Sequence, residues 1–280
     1  MEDTPDDLIF ELHGGALWGD HPYGRSILGT RDSVRGMSVE TLRELQARAY
    51  LSGDLIIGAA GFLEHDAFTE EVSQYFSGTE RQPGSEVPGA ALETQTQDIR
   101  VHRDGVQTHL VFGTRTPPRS DPSRFPLILL STAFGGGMGS RLFQKVREEL
   151  GLGYAVYAYQ AFYSKAGVAG VYVGTRPEWG ARAVEAIRDE YQKLYNQGLT
   201  ETELDEVKNQ VKGQVMLSLE STSSRLFRLA GCALYDEPVL TLDQLLGTID
   251  AVTLGDVAEV AHRFFDPESQ TLLSLGPDPD

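Results

Sequence analysis

Cysteine and positive charge are both scarce in this sequence of 280 residues. Cys232 is the only cysteine, which excludes an internal disulfide and is interpreted as a small buried side chain on a helix. The 24 lysines and arginines are outnumbered by 41 aspartates and glutamates, which gives a formal net charge of −17. Nucleic-acid binding requires basic surface that replaces the counterions of the phosphates, so this charge argues against a nucleic-acid partner.

Long apolar runs are also missing from the sequence. The longest uncharged run, Phe125 to Ser140, is shorter than a membrane span and contains four glycines. The N-terminal residues Met-Glu-Asp-Thr-Pro-Asp-Asp are acidic and lack the features of a signal peptide. The sequence therefore predicts a cytoplasmic protein with no membrane partner.

Residues 134–159 combine a glycine-rich turn, a helical pattern and an alternating pattern. The consecutive glycines at 135–137 allow backbone conformations that other residues resist. Apolar residues at helical spacing then predict a helix, with Ser140 as its N-cap and Gly151 as its end. The residues that follow alternate in character, which predicts a strand that opens with Tyr154.

A phosphate-binding loop is one interpretation of these glycines, but the surrounding residues do not fit it. A Walker-type loop needs a lysine after its last glycine, and residues 139–141 contain none. The dinucleotide-binding fingerprint needs a glycine at the position that Ser140 occupies. The simpler interpretation is a turn that lets the helix pack closely against a neighbour.

The order of motifs resembles the second half of the pitrilysin/insulinase-type zinc peptidases, the inverzincins, and especially their mitochondrial-processing-peptidase branch. In that family a glycine-rich segment leads into Ser-Arg-Leu-Phe, a helix that ends in Arg-Glu, and a strand that begins Gly-x-Gly/Ala-Tyr. The corresponding residues here are Gly135 to Gly137, Ser140 to Phe143, Arg147 with Glu148, and Gly151 to Tyr154. The match is long and keeps the family's order.

The resemblance implies roles for particular residues. Arg147 and Tyr154 would form a pair that binds substrate and stabilises the transition state, reaching across to a zinc ion held by the first half. The expected substrate-binding residues are Gly135, Gly136, Gly137 and Ser140. Sequence position by itself leaves simpler alternatives open: Arg147 as a surface residue paired with Glu148 or Glu149, and Tyr154 as a core aromatic residue.

The family's zinc motif, His-x-x-Glu-His, is absent from the sequence. Its spacing places two imidazoles on one helix face beside a carboxylate that acts as general base. None of the six histidines has a second histidine four residues away. Glu64-His65 follows Gly61, where the motif needs a histidine, and is interpreted as a turn into a helix. We therefore expect this chain to bind no zinc itself, although zinc is the cofactor of the complete family enzyme.

An internal repeat relates two parts of the chain. Ser38 to Gly61 and Thr253 to Gly276 align without a gap at an offset of 215 residues, each as a capped helix followed by a strand. The predicted strand of the first copy is Asp54 to Gly61. If the second half begins near Ile99, the offset implies that about 115 residues of a first half would lie upstream of Met1.

The predicted fold is α+β, with two homologous halves that each hold an antiparallel-rich sheet covered on one face by helices. Residues 1–80 are expected to be the C-terminal part of an incomplete first half. Residues 81–97 contain prolines and no periodic pattern, which predicts a linker. Residues 98–280 are expected to form a complete second half.

The leading hypothesis from the sequence is the C-terminal portion of a zinc-dependent endopeptidase that hydrolyses peptides. The alternative is a non-catalytic subunit that lacks zinc, binds peptide and partners an active homologue. A purely structural subunit is a third hypothesis. The predicted partners are a peptide substrate and either the missing N-terminal segment or a homologous zinc-bearing subunit, in a homodimer or heterodimer. The chain alone is expected to be inactive, because it has no metal to activate water.

Overall fold

The structure, a computed structural model, describes four ranges of the chain: residues 4–50, 55–76, 88–91 and 96–278. Most of the predicted linker at 81–97 lies outside these ranges, and so does Asp54, the first residue of a predicted strand. Across the described ranges, no helix is long and apolar enough to cross a membrane.

Contacts divide the chain into two compact units. The first unit contains Met1–Ser26, Pro88–Gly213 and Leu242–Asp280; the second contains Ile27–Val87 and Gln214–Thr241. This division follows contacts in space, whereas the predicted halves 1–80 and 98–280 follow a sequence repeat. The division into homologous halves therefore stays a prediction.

The first unit is built on a five-stranded sheet with the strand order β1-β5-β2-β4-β3. The strands are β1 (Asp98–His102), β2 (Thr108–Thr116), β3 (Gly153–Phe162), β4 (Gly167–Thr175) and β5 (Thr271–Gly276). β1 pairs with β5 in parallel, and the other three pairings are antiparallel. The predicted α+β class with an antiparallel-rich sheet is confirmed.

The turn signal Asp104-Gly105 predicts a hairpin between Ile99–His102 and Thr108–Gly113, and that prediction is wrong. β5 lies between the two strands: Leu275 pairs with Val101 on one side and with His109 on the other. A tight-turn signal reports that the chain reverses, but it does not determine which strand occupies the neighbouring position. Here the partner comes from the far end of the chain, which local sequence cannot reveal.

The described residues of the two units also form helices. The helices are α1 (Pro5–Trp18), α2 (Arg31–Arg35), α3 (Val39–Leu45), α4 (His65–Phe76), α5 (Arg124–Gly135), α6 (Gly180–Gln197), α7 (Glu201–Ser218), α8 (Thr222–Leu234), α9 (Leu242–Asp250) and α10 (Leu254–Phe264). Two π-helical segments, Gln46–Tyr50 and Phe143–Glu149, and short 3₁₀ turns at 22–24, 177–179 and 267–269 also occur.

Alternation along β2 separates the two faces of the sheet. Val111 packs beneath Ile9 of α1, and its neighbour Phe112 lies on the opposite face beside Tyr191 of α6. α5 and α10 pack on the same side as α6. The predicted helical cover on one face is present, and α1 adds cover on the other.

The second unit contains α2, α3, α4 and α8, and its described part has almost no core. Cys232 on α8 is its only buried apolar residue among those described, which agrees with the interpretation of the lone cysteine. Apolar side chains of α3 are instead exposed, Leu42 and Leu45 among them. The described residues of this unit therefore bury little of the apolar surface that drives folding.

The predicted strand Asp54–Gly61 is not formed in the described residues. Residues 55–60 have no regular secondary structure and pair with no described strand. A strand needs a neighbour that satisfies its backbone hydrogen-bonding groups, and the described residues supply none here. Leu55, Ile56 and Ile57 therefore have the apolar composition of a buried strand, but no described strand pairs with them.

Candidate functional site

The predicted site begins where α5 ends against the edge strand β3. A β-carbon added at Gly135 would lie 2.4 Å from the backbone nitrogen of Ala158 on β3, closer than any real side chain approaches. Gly135 is therefore a glycine because α5 packs directly on the strand. This contact supports the simpler interpretation of the glycines, a turn that allows close packing.

The next two glycines also make internal contacts. The backbone oxygen of Gly136 accepts a hydrogen bond from Gln210 Nε2 at 3.1 Å, and a β-carbon at Gly137 would lie 3.3 Å from the same nitrogen. Gln210 on α7 thus ties the turn to the helical layer. Met138, in contrast, is exposed, and a β-carbon at Gly139 would contact nothing within 4 Å.

Ser140 is buried, and its hydroxyl does not form the predicted helix cap. The Ser140 hydroxyl donates a hydrogen bond to the backbone oxygen of Gly137 at 2.6 Å, within the turn. The backbone oxygen of Ser140 accepts a hydrogen bond from the Gln144 nitrogen at 3.0 Å, which is the first hydrogen bond of the helix. The prediction of a helix start at Ser140 is correct, while the predicted side-chain cap is replaced by a turn hydrogen bond.

The helix that follows is wound more widely than an α-helix. Residues Phe143–Glu149 form a π-helix, and the Leu150 nitrogen donates to the Lys145 oxygen five residues earlier at 3.1 Å. Gly151 then ends the helix with φ of 63°, as predicted for this glycine. Short π-helical segments are frequent at functional sites, because the extra residue per turn shifts the side chains that follow.

Arg141 anchors the start of this helix, a role that the sequence alone does not predict. Its Nε and Nη2 donate to the two carboxylate oxygens of Glu203 at 2.7 and 2.9 Å, and Nη2 also donates to the Gly198 oxygen at 2.8 Å. Glu203 in turn accepts a hydrogen bond from the Thr200 nitrogen at the start of α7. The Arg141 guanidinium lowers the pKa of Glu203 to about 2.

Arg147 lies at the end of the π-helix and contacts the strand that carries Tyr154. Its Nη1 donates to the backbone oxygen of Tyr154 at 3.1 Å, and its guanidinium lies 4.6 Å from the ring centre of Phe143. Its Nε is 3.7 Å from the Glu148 carboxylate, which agrees with the surface-pair alternative. The side chain is about half exposed, so its remaining hydrogen-bond donors are accessible to a ligand.

Tyr154 is displayed at a β-bulge of β3. The register passes from Gly153 opposite Thr175 to Ala155 opposite Gly174, so that Tyr154 is an extra residue with no partner in the ladder. Its side chain is 73% exposed, which excludes the alternative of a core aromatic residue. The structure thus brings Arg147 and Tyr154 together at the edge of the sheet, with the tyrosine ring facing solvent.

The histidines of the described residues do not fit a zinc site. A catalytic zinc needs three protein ligands, and in the described ranges no three His, Cys, Asp or Glu side chains converge. His13 is buried with Nε2 donating to the Thr271 oxygen at 3.1 Å, and His109 Nδ1 lies 2.8 Å from the Tyr172 hydroxyl. Burial lowers the pKa of His13 to about 4 and lowers that of His109, so both imidazoles are neutral structural groups.

The described residues thus form an antiparallel-rich α+β unit with an exposed tyrosine and an arginine bonded to its backbone. The chain belongs to the peptidase M16 family: the model described as "Peptidase M16 inactive domain" matches residues 36–211. The sequence resemblance to the pitrilysin-type peptidases is thereby confirmed.

Relatives of known sequence carry zinc-protease names and are longer than this chain. An uncharacterized zinc protease of Streptomyces coelicolor is 34% identical over 93% of this chain and 58% of its own length. The uncharacterized zinc protease YmxG of Bacillus subtilis is 33% identical over 99% of this chain and 67% of its own length. This chain therefore spans about three-fifths to two-thirds of these relatives.

Solved structures share the fold. The peptidase M16 inactive domain from Pseudomonas fluorescens superposes with a TM-score of 0.90 at 23% identity, covering 99% of this chain and 66% of that one. A chain of the complex III dimer from Candida albicans superposes with a TM-score of 0.83 at 16% identity, covering 98% of this chain and 67% of its own. At these identities the likeness establishes the fold alone.

Proposed function

We propose that this chain is the C-terminal portion of a zinc-dependent M16 endopeptidase that hydrolyses peptides, and that it contributes Arg147 and Tyr154 to the site. The zinc ligands would come from a first-half segment that this sequence does not contain. The observation that carries the proposal is the bulge that displays Tyr154 beside Arg147. The low cysteine content favours a cytoplasmic location.

Each residue of the pair has a chemical role that its geometry permits. The Tyr154 hydroxyl donates a hydrogen bond to the oxyanion that develops as the peptide carbonyl is attacked. The free donors of Arg147 bind a substrate carbonyl, while its bond to the Tyr154 backbone holds the tyrosine-bearing bulge in place. Binding and orientation of the peptide are thus assigned to this chain.

The glycine-rich turn is proposed to shape the peptide-binding surface through its backbone. The residues of the turn make internal contacts in the structure: Gly135, Gly136, Gly137 and Ser140. Their proposed role is to set the shape of the binding surface and not to contact the peptide through side chains. Met138 and Gly139 form the open part of the turn. An extended peptide would pass this open part on its way to Tyr154.

A second candidate is a non-catalytic subunit that binds peptide and partners an active homologue as a heterodimer. The matching family model describes an inactive domain, and the described residues of this chain contain no metal cluster. In this case Arg147 and Tyr154 would still bind peptide, and the partner would carry the whole reaction.

The test is reconstitution with the third of YmxG that has no counterpart here, followed by cleavage of a fluorogenic unfolded peptide. We expect Tyr154→Phe to lower kcat by about 10² to 10³, the usual cost of one oxyanion donor. The matched control is Tyr157→Phe, which removes the same phenolic hydroxyl from another tyrosine of β3. Its kcat should not change. Arg147→Ala should act mainly on KM.

Full turnover of the Tyr154→Phe complex would contradict the assignment of the pair. A complex that binds the peptide but cleaves none of it, while the same peptide is cut by an intact homologue, would favour the subunit candidate. Measuring kcat and KM separately distinguishes the two residues, because a group that acts only in the transition state changes kcat.

A further inference from the structure

A cavity lies between the start of α6 and the part of the sheet that β1, β5 and β2 form. Its volume is about 220 Å³. Ser274 of β5 pairs with Leu110 of β2 on one side and with Arg100 of β1 on the other, so these three residues form one row below the cavity. Gly180 and Ala181 of α6 lie above it. The cavity belongs entirely to the first unit, and its lining includes none of the residues of the proposed peptidase site.

Small residues at the start of α6 create this cavity. A β-carbon at Gly180 would make only an ordinary contact, 3.8 Å from Thr108 Cγ2, so crowding does not require glycine there. Ala181 follows it with a single methyl group. Elsewhere on the same face of the sheet large rings pack against one another and fill the layer: Phe112, Phe134 and Tyr191. Protein interiors rarely retain a space of this size, which makes the cavity a candidate ligand site.

The cavity has an apolar interior and a charged rim. Leu110 and Leu272 of its floor are buried. Arg100 and Glu178 at the rim are exposed, and Glu178 lies 4.0 Å from Arg176. Because one water molecule takes about 30 Å³ in the liquid, the cavity has room for about seven groups of the size of a water or a methylene. A matching ligand therefore has a short apolar chain and a charged end.

Arg100 and His102 at the rim already hold a carboxylate. Asp278 places one carboxylate oxygen 3.2 Å from Arg100 Nη2 and the other 3.2 Å from His102 Nδ1. The two cationic side chains are two residues apart on β1, so both lie on the same face of the strand. His102 also lies 3.5 Å from the Asp104 carboxylate through Nε2. Pro277, the residue before Asp278, lines the cavity, so the bound carboxylate lies at its mouth.

Another carboxylate can replace that of Asp278 at a small cost. The side chains of Arg100 and Asp278 are 51% and 72% exposed, and an exposed ion pair contributes little to stability. The N-terminus of α6 also favours a negative group beside the cavity. Neither α6 nor the 3₁₀ turn at 177–179 before it has a side-chain capping hydrogen bond at its N-cap. The mouth of the cavity is thus suited to an exchangeable anion.

We propose that this cavity binds a carboxylate that carries a short aliphatic chain. The chain occupies the apolar interior, and the carboxylate binds Arg100 and His102 in place of Asp278. Two sources share this chemistry: a free medium-chain carboxylate, and the C-terminal residue of a peptide that ends in an aliphatic side chain. The inference goes beyond the proposed peptidase function and does not depend on it, because the site contains neither Arg147 nor Tyr154.

The first test is titration of the whole chain with octanoate, whose alkyl chain matches the length of the cavity. Isothermal titration calorimetry should show one saturable site. Octanamide has the same chain without the charge and should bind at least about tenfold more weakly, because a hydrogen bond to a charged group is lost. Hydrogen–deuterium exchange with octanoate should slow the amides of residues 98–102 and 180–184 and leave those of α4 unchanged.

Substitutions at the rim test the position of the carboxylate. Arg100→Gln should weaken octanoate binding by about tenfold or more. The matched control is Arg188→Gln: Arg188 donates to Asp98 of the same strand at 2.9 and 3.1 Å but does not line the cavity. Its affinity should equal that of the unchanged chain. Asp278→Asn removes the competing charge and should raise the affinity by about two- to fivefold, the range expected for an exposed ion pair.

A substitution in the wall tests the position of the aliphatic chain. Ala181→Phe places a ring in the cavity and should abolish octanoate binding. Gln192→Phe places the same ring on an exposed position of α6 away from the cavity and should bind octanoate normally. Circular dichroism and the melting temperature verify that each variant folds. If Ala181→Phe does not fold, Arg100→Gln with its control decides the question.

Competition between ligands distinguishes the two sources. N-acetyl-Gly-Gly-Leu with a free carboxylate should displace octanoate if the site accepts a peptide C-terminus, whereas its C-terminal amide should not. Binding of octanoate without displacement by this peptide would assign the site to free carboxylates. The proposal is overturned if neither octanoate nor the peptide acid binds, or if octanamide binds as tightly as octanoate. It is also overturned if Arg100→Gln leaves the affinity unchanged.

Discussion

Tyr154 is exposed because one extra residue interrupts the edge strand. In a regular strand the residue after Gly153 would point to one face of the sheet and pack beside β4. The bulge leaves Tyr154 without a partner in the strand ladder. The Arg147 guanidinium donates a hydrogen bond to the backbone oxygen of Tyr154 instead. A displayed hydroxyl on an anchored backbone suits the binding role that we propose for Tyr154, because an already ordered group loses little entropy on binding.

His13 makes the stability of the first unit depend on pH. Its pKa in the folded chain is about 4 because burial disfavours the charged imidazole, against about 6.5 in an unfolded chain. Between these values the unfolded state binds a proton that the folded state does not. The free energy of unfolding should therefore fall as pH decreases from about 6.5 to about 4, by roughly 3 kcal/mol for this group.

Urea denaturation at a series of pH values measures this dependence. His13→Gln keeps a donor for the Thr271 oxygen and removes the titration, so the slope between pH 6.5 and 4 should become shallower. Identical slopes for the chain and the His13 variant would rule out this role for His13.

At the scale of elements, the Arg141–Glu203 pair joins the π-helix to the start of α7. The pair is only partly exposed and makes a two-pronged contact, so it should contribute more than a surface ion pair. Arg141→Ala should lower the melting temperature and speed amide exchange in Phe143–Glu149, with a cost of about 1–3 kcal/mol. Arg141→Lys keeps the positive charge but cannot donate two parallel hydrogen bonds to Glu203. It should therefore recover only part of the lost stability.

The Glu203 carboxylate of the same pair makes the free energy of unfolding depend on pH in the acid range. The pKa of Glu203 is lowered in the folded chain, so the stabilisation is present above its unfolded pKa and is lost as pH falls toward about 2. In the Arg141→Ala chain this acid-range loss should be smaller, because the main cause of the lowered pKa is gone. An unchanged acid profile would mean that Arg141 does not set the titration of Glu203.

Local signals predicted the elements whose causes are local. Ser38 and Thr253 cap their helices as expected, and Gly151 ends the π-helix with the positive φ that glycine allows. The pairing of Arg147 with Tyr154 came from the family resemblance and not from the local pattern. The bulge that exposes the tyrosine was not predictable, because it depends on the register against β4.

Features that depend on distant residues were missed. The insertion of β5 between β1 and β2 joins strands about 170 residues apart, and the Arg141–Glu203 contact joins two helices. The failure of 55–60 to form a strand has the same origin. The apolar residues there predicted a strand, but a strand exists only when a partner supplies its hydrogen bonds.

At the scale of the whole molecule, α1 connects the two predicted halves. It precedes the predicted linker at 81–97, yet Ile9 packs against Val111 and Leu273 of the sheet that follows the linker. Trp18 at the end of α1 packs with Ala166 and Val168 near the same sheet. The core of residues 98–280 thus includes a helix from the segment before the linker, which bears directly on how the chain responds to cleavage.

The prolines and missing periodicity of 81–97 predict that a protease cuts there first. Because α1 is buried against the sheet, the two fragments should remain associated in native buffer and separate only in denaturant. Size-exclusion chromatography after limited trypsin digestion, with mass spectrometry of the peak, measures both points. Ile9→Asp places a charge in that contact and should let the fragments separate natively, whereas Leu8→Asp, at the rim of the same cluster, should do so less. A first cut within 98–280, or a native 98–280 fragment that elutes alone from the unchanged chain, would contradict this organisation.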